Sequence, residues 1–374
     1  MKLRPNNIRP VLVLAPGVLA GAEKVVLTGL VGLRDMGLNP LMIIIRETRA
    51  PHFAETFLKA MPTGIESVMI DSTKAFDLQL PKRLKAALLD QSSPIILHSH
   101  GFKALIACYM MKGKLPHLHT HHGNTAHTLK VRIYEKIAMM TMKTCNHVIA
   151  VSHQMKQELD QKLYPYNKIA VIENMLSLTN AAKIRSERAL RNKNENTIEL
   201  LYVGRLSPEK GLLPFLESLA ASAVKERFHL TVLGDGVERE LVEKFIVDHK
   251  MQNQVTLHGF VSDPSSFFIN PDILIMPSLR EGLPMTLIEA LASGVPVLAN
   301  NVGAIASMVT HNTNGHFAKD FSTESWNEAL LKTSENYHEW MKNAASAAES
   351  VEERFSLKKW TQKTRELYDL AIKS

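Results

Sequence analysis

Two carboxylates stand eight residues apart in a stretch that combines loop and helix signals. Glu281 lies in a loop with glycine and proline on either side, and Glu289 lies within the otherwise apolar segment 285–292. Eight helical residues rise about 12 Å, whereas two carboxylates that flank one glycosidic bond lie roughly 5–9.5 Å apart. The spacing therefore favours two contacts along one long ligand over an acid–base pair. The structural alternative, in which Glu281 is solvated and Glu289 pairs with a buried arginine, stays open at this point.

Two cations follow an apolar run that is typical of a buried strand. Arg205 and Lys210 lie after residues 198–203, on a loop bounded by Gly204 and Gly211. At the carboxyl end of a strand, such a pair suits a pyrophosphate, because arginine binds oxygens as a fork and lysine acts as a point charge. Surface salt bridges are the alternative interpretation.

Another glycine turn follows the next predicted strand. Gly234 and Gly236 flank Asp235, and this turn lies where the backbone can approach a ligand closely. The Glu289 carboxylate could accept both hydroxyls of a ribose, as an acidic residue does in dinucleotide-binding folds. Taken together, these residues predict a nucleoside diphosphate that carries a further group, towards which Glu281 reaches.

The elements that position these residues alternate between strand and helix patterns twice along the chain. At 374 residues the chain is long for a single core, so two domains are expected. The alternation predicts an α/β fold of two Rossmann-like domains with parallel sheets, facing a central cleft. We expect an N-terminal domain over 1–175, a polar, charged linker over 176–197, and a C-terminal domain over 198–354.

The N-terminal half carries a glycine loop and two histidine-rich strand ends. The loop 16–23 precedes a predicted helix whose free N–H groups would attract an anion, but it has neither a GxGxxG nor a Walker pattern. The histidines lie in HSHG at 98–101 and HLHTHHG at 117–123. We interpret them as the polar lining of a cleft, with exposed histidines or a zinc site as alternatives.

The composition describes a globular protein with a clustered positive charge. Residues 101–170 carry ten basic residues against three acidic ones, which predicts a surface for phosphates, anionic lipid or nucleic acid. Nucleic acid is disfavoured because few aromatic residues are interleaved with the charges. The segment 128–143 is either a core helix with a solvated basic face or a membrane-surface helix. Two distant cysteines, Cys108 and Cys145, favour a reducing compartment, and no apolar run is long enough for a spanning helix.

The chain resembles glycosyltransferase family 4, the retaining group 1 transferases of the GT-B fold. The resemblance covers nearly the whole chain and is most specific over residues 200–303. It is carried there by GRLSPEKG, VLGDG, HGFVSD and PDILIMPSLREGLPMTLIEALASGVPVLAN, and in the first half by GAEK, HSHG, HHG and IAVSH. It implies transfer of a sugar from a nucleotide-sugar with retention of configuration and with no metal ion or cofactor.

The resemblance also implies roles for individual residues. Arg205 and Lys210 would hold the donor diphosphate and stabilise the leaving group, Glu281 would face the donor sugar, and Glu289 the ribose. His122 would orient the sugar at the reaction centre. Further donor contacts are implied for Gly21, Gly204, Gly234, Gly236, Gly282, Leu283, Pro284 and Met285. The chain end, 355–374, would cross back and pack on the first domain.

The acceptor is the least determined part of this interpretation. A basic first domain without a spanning helix fits a cytoplasmic enzyme, peripheral at the inner face of the plasma membrane. It would act on a glycan or lipid-linked acceptor in the synthesis of a bacterial lipopolysaccharide, capsule or exopolysaccharide. The alternatives are an epimerase or sugar phosphorylase on the same fold, and a non-catalytic module that binds sugar or lipid.

Overall fold

The structure is a computed structural model of the chain. It describes residues 8–19, 21–74, 77–89, 93–111, 115–123, 129–176, 181–192 and 195–373. For residues 129–135 it describes the backbone but not the side chains. The chain forms two compact units. The first consists of Met1–Met175 with Ser356–Ser374, and the second of Leu176–Phe355.

The first unit is built on a sheet of seven strands in the order β3-β2-β1-β4-β5-β6-β7. All pairings are parallel, and β1 is buried along nearly its whole length because helices cover both faces. The strand order reverses between β1 and β4, which is where open parallel sheets bind ligands. The strands are β1 (Arg9–Leu14), β2 (Leu41–Glu47), β3 (Glu66–Ser72), β4 (Ile95–His100), β5 (His117–His121), β6 (His147–Ala150) and β7 (Ile169–Val171). The helices that follow them are α1 (Gly21–Asp35), α2 (Pro51–Lys59), α3 (Leu80–Ala86), α4 (Phe102–Met110), α5 (Leu129–Met142) and α6 (His153–Leu163).

The second unit has a six-stranded sheet in the order β10-β9-β8-β11-β12-β13, again with parallel pairings. Its strand order reverses between β8 and β11. The predicted α/β class with two Rossmann-like parallel sheets is therefore confirmed. The strands are β8 (Ile198–Val203), β9 (Phe228–Leu233), β10 (Val255–Gly259), β11 (Ile273–Met276), β12 (Val297–Asn300) and β13 (Gly315–Ala318). The helices are α7 (Ala181–Leu190), α8 (Leu212–Ala221), α9 (Arg239–Asp248), α10 (Met285–Ala292) and α11 (Thr323–Arg354).

The stretch predicted as a linker, 176–197, belongs to the second unit. Its helix α7 is held there by arginines that donate to backbone carbonyls. Arg188 donates to the carbonyls of Phe268 at 2.9 Å and Pro271 at 2.7 Å, and Arg185 to that of Ala292 at 2.8 Å. Burial lowers the pKa of the Arg188 guanidinium to about 9. The charged composition that resembles a linker thus serves to bind carbonyl groups.

The last helix, α12 (Leu357–Lys373), packs on α1 in the first unit. Two glycines of α1 allow the close approach, since a Cβ at Gly29 would lie 2.6 Å from the Trp360 ring. At Gly32 a Cβ would overlap Thr361 Oγ1. The hydroxyl of Tyr368 lies 2.8 Å from Nδ1 of His98 in β4. No helix in the described part of the chain is both long and apolar enough to cross a membrane.

Candidate active site

The loop after β8 brings both predicted cations to the point where the second sheet reverses its order. A short 3-10 turn over Pro208–Lys210 ends at Gly211, which is left-handed at φ +68°. A Cβ at Gly211 would overlap the carbonyl oxygen of Pro277, in the loop after β11. The backbone N–H of Leu279 also donates to the carbonyl of Glu209 at 2.9 Å. The β8 and β11 loops are thus packed backbone to backbone.

Lys210 and Glu281 form an ion pair across these two loops. The distance from Lys210 Nζ to Glu281 Oε1 is 2.7 Å, and the side chains are 23% and 8% exposed, respectively. The sequence-based prediction assigns the two residues to different parts of one ligand, with Lys210 at the phosphate and Glu281 at the sugar. The structure joins them directly, so a phosphate that binds Lys210 must share or replace a carboxylate partner.

Arg205 is the more accessible of the two cations. Its side chain is half exposed, and its guanidinium lies 3.6 Å from Glu209 Oε1. The Tyr202 hydroxyl donates to the backbone carbonyl of Arg205 at 2.7 Å and so fixes the turn. Burial, together with nearby carboxylates, raises the pKa of Tyr202 well above its ordinary value, so the phenol stays protonated as a donor. The sequence analysis missed both Tyr202 and Glu209. The four-residue spacing of Arg205 and Glu209 could have predicted their ion pair, because oppositely charged residues at that spacing often face each other in a helical turn.

The glycine turn after β9 lies against the same loop. A Cβ at Gly234 would overlap the carbonyl oxygen of Gly204, and one at Gly236 would overlap the backbone of Leu206. The backbone N–H of Gly204 donates to Leu233 at 3.0 Å. These glycines are therefore required for the loops to approach each other. The structure places Gly234 and Gly236 against the loop that carries Gly204 and Arg205. Their contact with a ligand remains a prediction.

The N-terminus of α10 supplies backbone donors beside Glu281. The helix begins at Met285 after Pro284, whose backbone is extended and which forms no side-chain cap. The N–H groups of the first turn have no acceptor within the helix, and together with the positive end of the helix dipole they suit an anion. The carbonyl of Gly282 accepts from the N–H of Ala304 at 3.1 Å, which holds the preceding loop in place.

Glu289 lies inside α10 rather than in the loop. It is only 3% exposed. Glu289 is thus a buried residue of the helix that follows the Glu281 loop. Its predicted role at a ribose remains a prediction.

In the first unit, the predicted residues lie at the carboxyl edge of the sheet. His122 directly follows β5, and its Nε2 lies 3.0 Å from Nδ1 of His100, the last residue of β4. Gly21 begins α1 after β1, the strand that pairs with β4. In the loop before it, the N–H of Gly17 donates to Glu23 Oε1 at 3.1 Å. Gly21 and His122 therefore follow strands that end at one edge.

Three other histidines, His98, His117 and His119, are buried and hydrogen-bonded, so the interpretation of exposed histidines is wrong for them. His98 bonds Thr120 at 2.7 Å in addition to Tyr368, and Ser99 lies within 3.0 Å of both His117 and His119. Burial lowers the pKa of His98 to about 3 and that of His117 to about 4, so both are neutral at pH 7. Among the residues with described positions, no cluster of three or more histidine, cysteine or acidic side chains is arranged to hold a metal.

Sequence comparison matches both halves of the chain to sugar-transferring families. Residues 183–351 match the sequence model described as glycosyl transferases group 1, and residues 19–179 match that of glycosyltransferase family 4. The chain is 27% identical over 281 residues to an uncharacterized glycosyltransferase of Methanocaldococcus jannaschii, covering 73% of this chain and 75% of that one. It is 25% identical over 296 residues to UDP-Gal:alpha-D-GlcNAc-diphosphoundecaprenol alpha-1,3-galactosyltransferase of Escherichia coli, covering 71% and 76%.

Comparison with solved structures supports the fold. HepE from Anabaena, in complex with UDP and glucose, superposes with a TM-score of 0.78 at 18% identity, covering 96% of this chain and 99% of that one. The architecture is thus that of the GT-B glycosyltransferases. With both halves matched, the chain belongs to glycosyltransferase family 4, the group 1 transferases, and is an enzyme that transfers sugars.

Proposed function

We propose that the protein is a retaining glycosyltransferase that moves a sugar from a nucleoside-diphosphate sugar to an acceptor hydroxyl. The observation that carries the proposal is the ion pair between Lys210 and Glu281, which places Lys210 and, on the same loop, Arg205 next to the segment that leads into α10 at the reversal point of the second sheet. Two cations and a row of backbone donors suit the negative charge that develops on a departing diphosphate. The proposal requires no bound metal or cofactor, because these groups supply the positive charge.

The chemical step is a substitution at the anomeric carbon. The bond from this carbon to the phosphate oxygen breaks, and its electron pair leaves with the diphosphate. The acceptor hydroxyl attacks on the same face, and its proton passes to the departing phosphate oxygen. Lys210 and Arg205 neutralise the leaving group. Once its ammonium partner binds phosphate, Glu281 can accept a hydrogen bond from a sugar hydroxyl.

The relatives support the class of donor and acceptor. The Anabaena neighbour binds UDP and glucose, and the E. coli relative is named for UDP-Gal and a diphosphoundecaprenol-linked acceptor. We therefore propose a uridine nucleotide donor and a glycan or lipid-linked acceptor, in bacterial envelope polysaccharide synthesis.

The donor proposal is tested by thermal shift with UDP, GDP, ADP and CDP. A ligand that binds only the native state raises the melting temperature, so UDP is expected to raise it most.

Product analysis with the matching nucleotide-sugars then determines the anomeric configuration. An epimerase would convert the donor without acceptor, and a phosphorylase would depend on phosphate. If none of the four nucleotides shifts the transition, the proposal fails.

The membrane partner is a separate proposal that rests on α4 and α5, which pack against each other in the first unit. Met140 is 73% exposed and Tyr109 is 51% exposed. Lys136 in α5 and Lys143, directly after it, are exposed as well. Met140 lies between Lys136 and Lys143 along the chain. Exposed apolar side chains near lysines suit a cytoplasmic enzyme that is peripheral on an anionic bilayer. Of the other basic residues in 101–170, Lys112 and Lys114 lie outside the described residues, as do the side chains of Lys130 and Arg132.

Sedimentation with phosphatidylserine vesicles at low salt tests this partner. We expect the protein to pellet with these vesicles and to remain in the supernatant with neutral ones. The variant Lys136→Glu/Lys143→Glu should lose binding, whereas Lys244→Glu/Lys342→Glu, with the same change of charge in the second unit, should keep it. Equal losses in both variants would mean that net charge alone governs the binding.

A further inference from the structure

His122 and His100 form a hydrogen-bonded pair at the carboxyl edge of the first sheet. Their nitrogens lie 3.0 Å apart, and the ring centroids lie 5.4 Å apart with planes inclined by 26°. The centroid separation is close to the N–N distance plus the two distances from ring centre to nitrogen. The bond therefore lies nearly in both ring planes, which is the alignment of a good hydrogen bond.

Both rings are neutral at physiological pH. Burial lowers the pKa of His122 to about 4, and it lowers that of His100 well below the ordinary value. A neutral imidazole carries one N–H and one bare nitrogen. One of the two rings must therefore donate in this bond, and the other must accept.

The second nitrogen of His100 decides which ring donates. Nε2 of His100 is buried, and no hydrogen-bond partner for it exists among the described residues. If Nδ1 of His100 accepted, its proton would have to lie on Nε2, as a buried N–H without an acceptor. Such orphaned donors are rarer than under-satisfied acceptors. Nδ1 of His100 is thus the protonated nitrogen, and it donates to Nε2 of His122.

We propose that His100 is a positioning residue that holds His122 in the Nδ1–H tautomer, so that His122 presents an N–H donor to a substrate oxygen at the carboxyl edge of the first sheet. Within the described part of the chain, Nδ1 of His122 has no hydrogen-bond partner, and the residue is partly exposed. The substrate oxygen rests on the proposed function. The tautomer does not, because it follows from the hydrogen bond between the two rings and from the buried Nε2 of His100, which has no partner among the described residues.

The tautomer is tested by NMR of the protein labelled with ¹⁵N-histidine. The signals of His122 are assigned by their absence in His122→Asn. We expect a protonated Nδ1 and a bare Nε2 in the ligand-free enzyme, and an increased share of the Nε2–H form in His100→Leu. A wild-type spectrum with the proton of His122 on Nε2 would overturn the inference.

Kinetics separate positioning from packing. His100→Leu is expected to lower kcat about tenfold, the effect of one lost hydrogen bond, with little change in the Kd for UDP. His100→Asn, whose amide can donate in place of Nδ1, should recover most of kcat. His119→Leu is the matched control, because His119 is equally buried and has an unpartnered Nε2 but bonds Ser99 rather than His122. We expect it to leave kcat and the His122 tautomer near wild type.

The inference is wrong if His119→Leu lowers kcat as much as His100→Leu, or if His100→Asn recovers nothing. The NMR readout needs no turnover. Failure of the proposed function and failure of this inference are therefore separate results.

Discussion

Replacement of Lys210 by alanine is expected to lower kcat by about 10²–10³-fold, the range found when one donor to a developing oxyanion is removed. Lys210 is the cation that the β8 and β11 loops hold in a defined place, 2.7 Å from Glu281. Arg205 is half exposed and is therefore less rigidly positioned to replace it. The measurement is the initial rate of sugar transfer at saturating donor and acceptor.

Loss of activity must be separated from loss of stability in this variant. Lys210→Ala leaves the Glu281 carboxylate, only 8% exposed, without its ammonium partner, and a stranded charge destabilises the fold. The double variant Lys210→Ala/Glu281→Gln removes this cost, so it should unfold near the wild-type urea midpoint yet remain inactive. Lys244→Ala, at an exposed position of α9, serves as the control for loss of a lysine. A Lys210→Ala enzyme with wild-type kcat would refute the assigned role.

Substitution of Gly211 by alanine is expected to lower the free energy of unfolding by about 3 kcal/mol or more. The left-handed backbone, at φ +68°, costs a residue with a Cβ about 1–2 kcal/mol. The new methyl group would also overlap the Pro277 carbonyl, a backbone atom that cannot rotate away. Because Gly211 joins the loops that carry Lys210 and Glu281, transfer activity should fall together with stability. Urea unfolding and initial rates measure the two effects.

Gly37→Ala is the matched control for this prediction. Gly37 is also left-handed, at φ +82°, but a Cβ there would meet no atom within 4 Å. It should therefore cost only the backbone term, about 1–2 kcal/mol, and leave transfer unchanged. If the two alanine variants are equally destabilised, the contact between the β8 and β11 loops is not what Gly211 serves.

Much of the fold follows from local patterns in the sequence. Apolar runs of strand length, each followed by a glycine turn and an amphipathic helix, predict parallel α/β units. They can do so because the spacing of apolar residues within each segment indicates which of its faces is buried. The strand 198–203 shows this, since all but two of its residues are buried in the second sheet. The same logic places Arg205 and Lys210 at a strand's carboxyl end. Position along the strand is a property of the local sequence, so it can be read without the fold.

Partners across the fold are what only the tertiary structure decided. Lys210 and Glu281 are 71 residues apart, and His100 and His122 are 22 residues apart. No local sequence pattern can therefore predict that the members of either pair are in contact. The charged segment 176–197 has the composition of a linker, yet Arg185 and Arg188 use their charges to bind carbonyls of the second unit. Composition records that a side chain is charged, whereas its energetic role depends on the group that packing brings within hydrogen-bonding distance. That group is fixed only when the sheets and loops assemble.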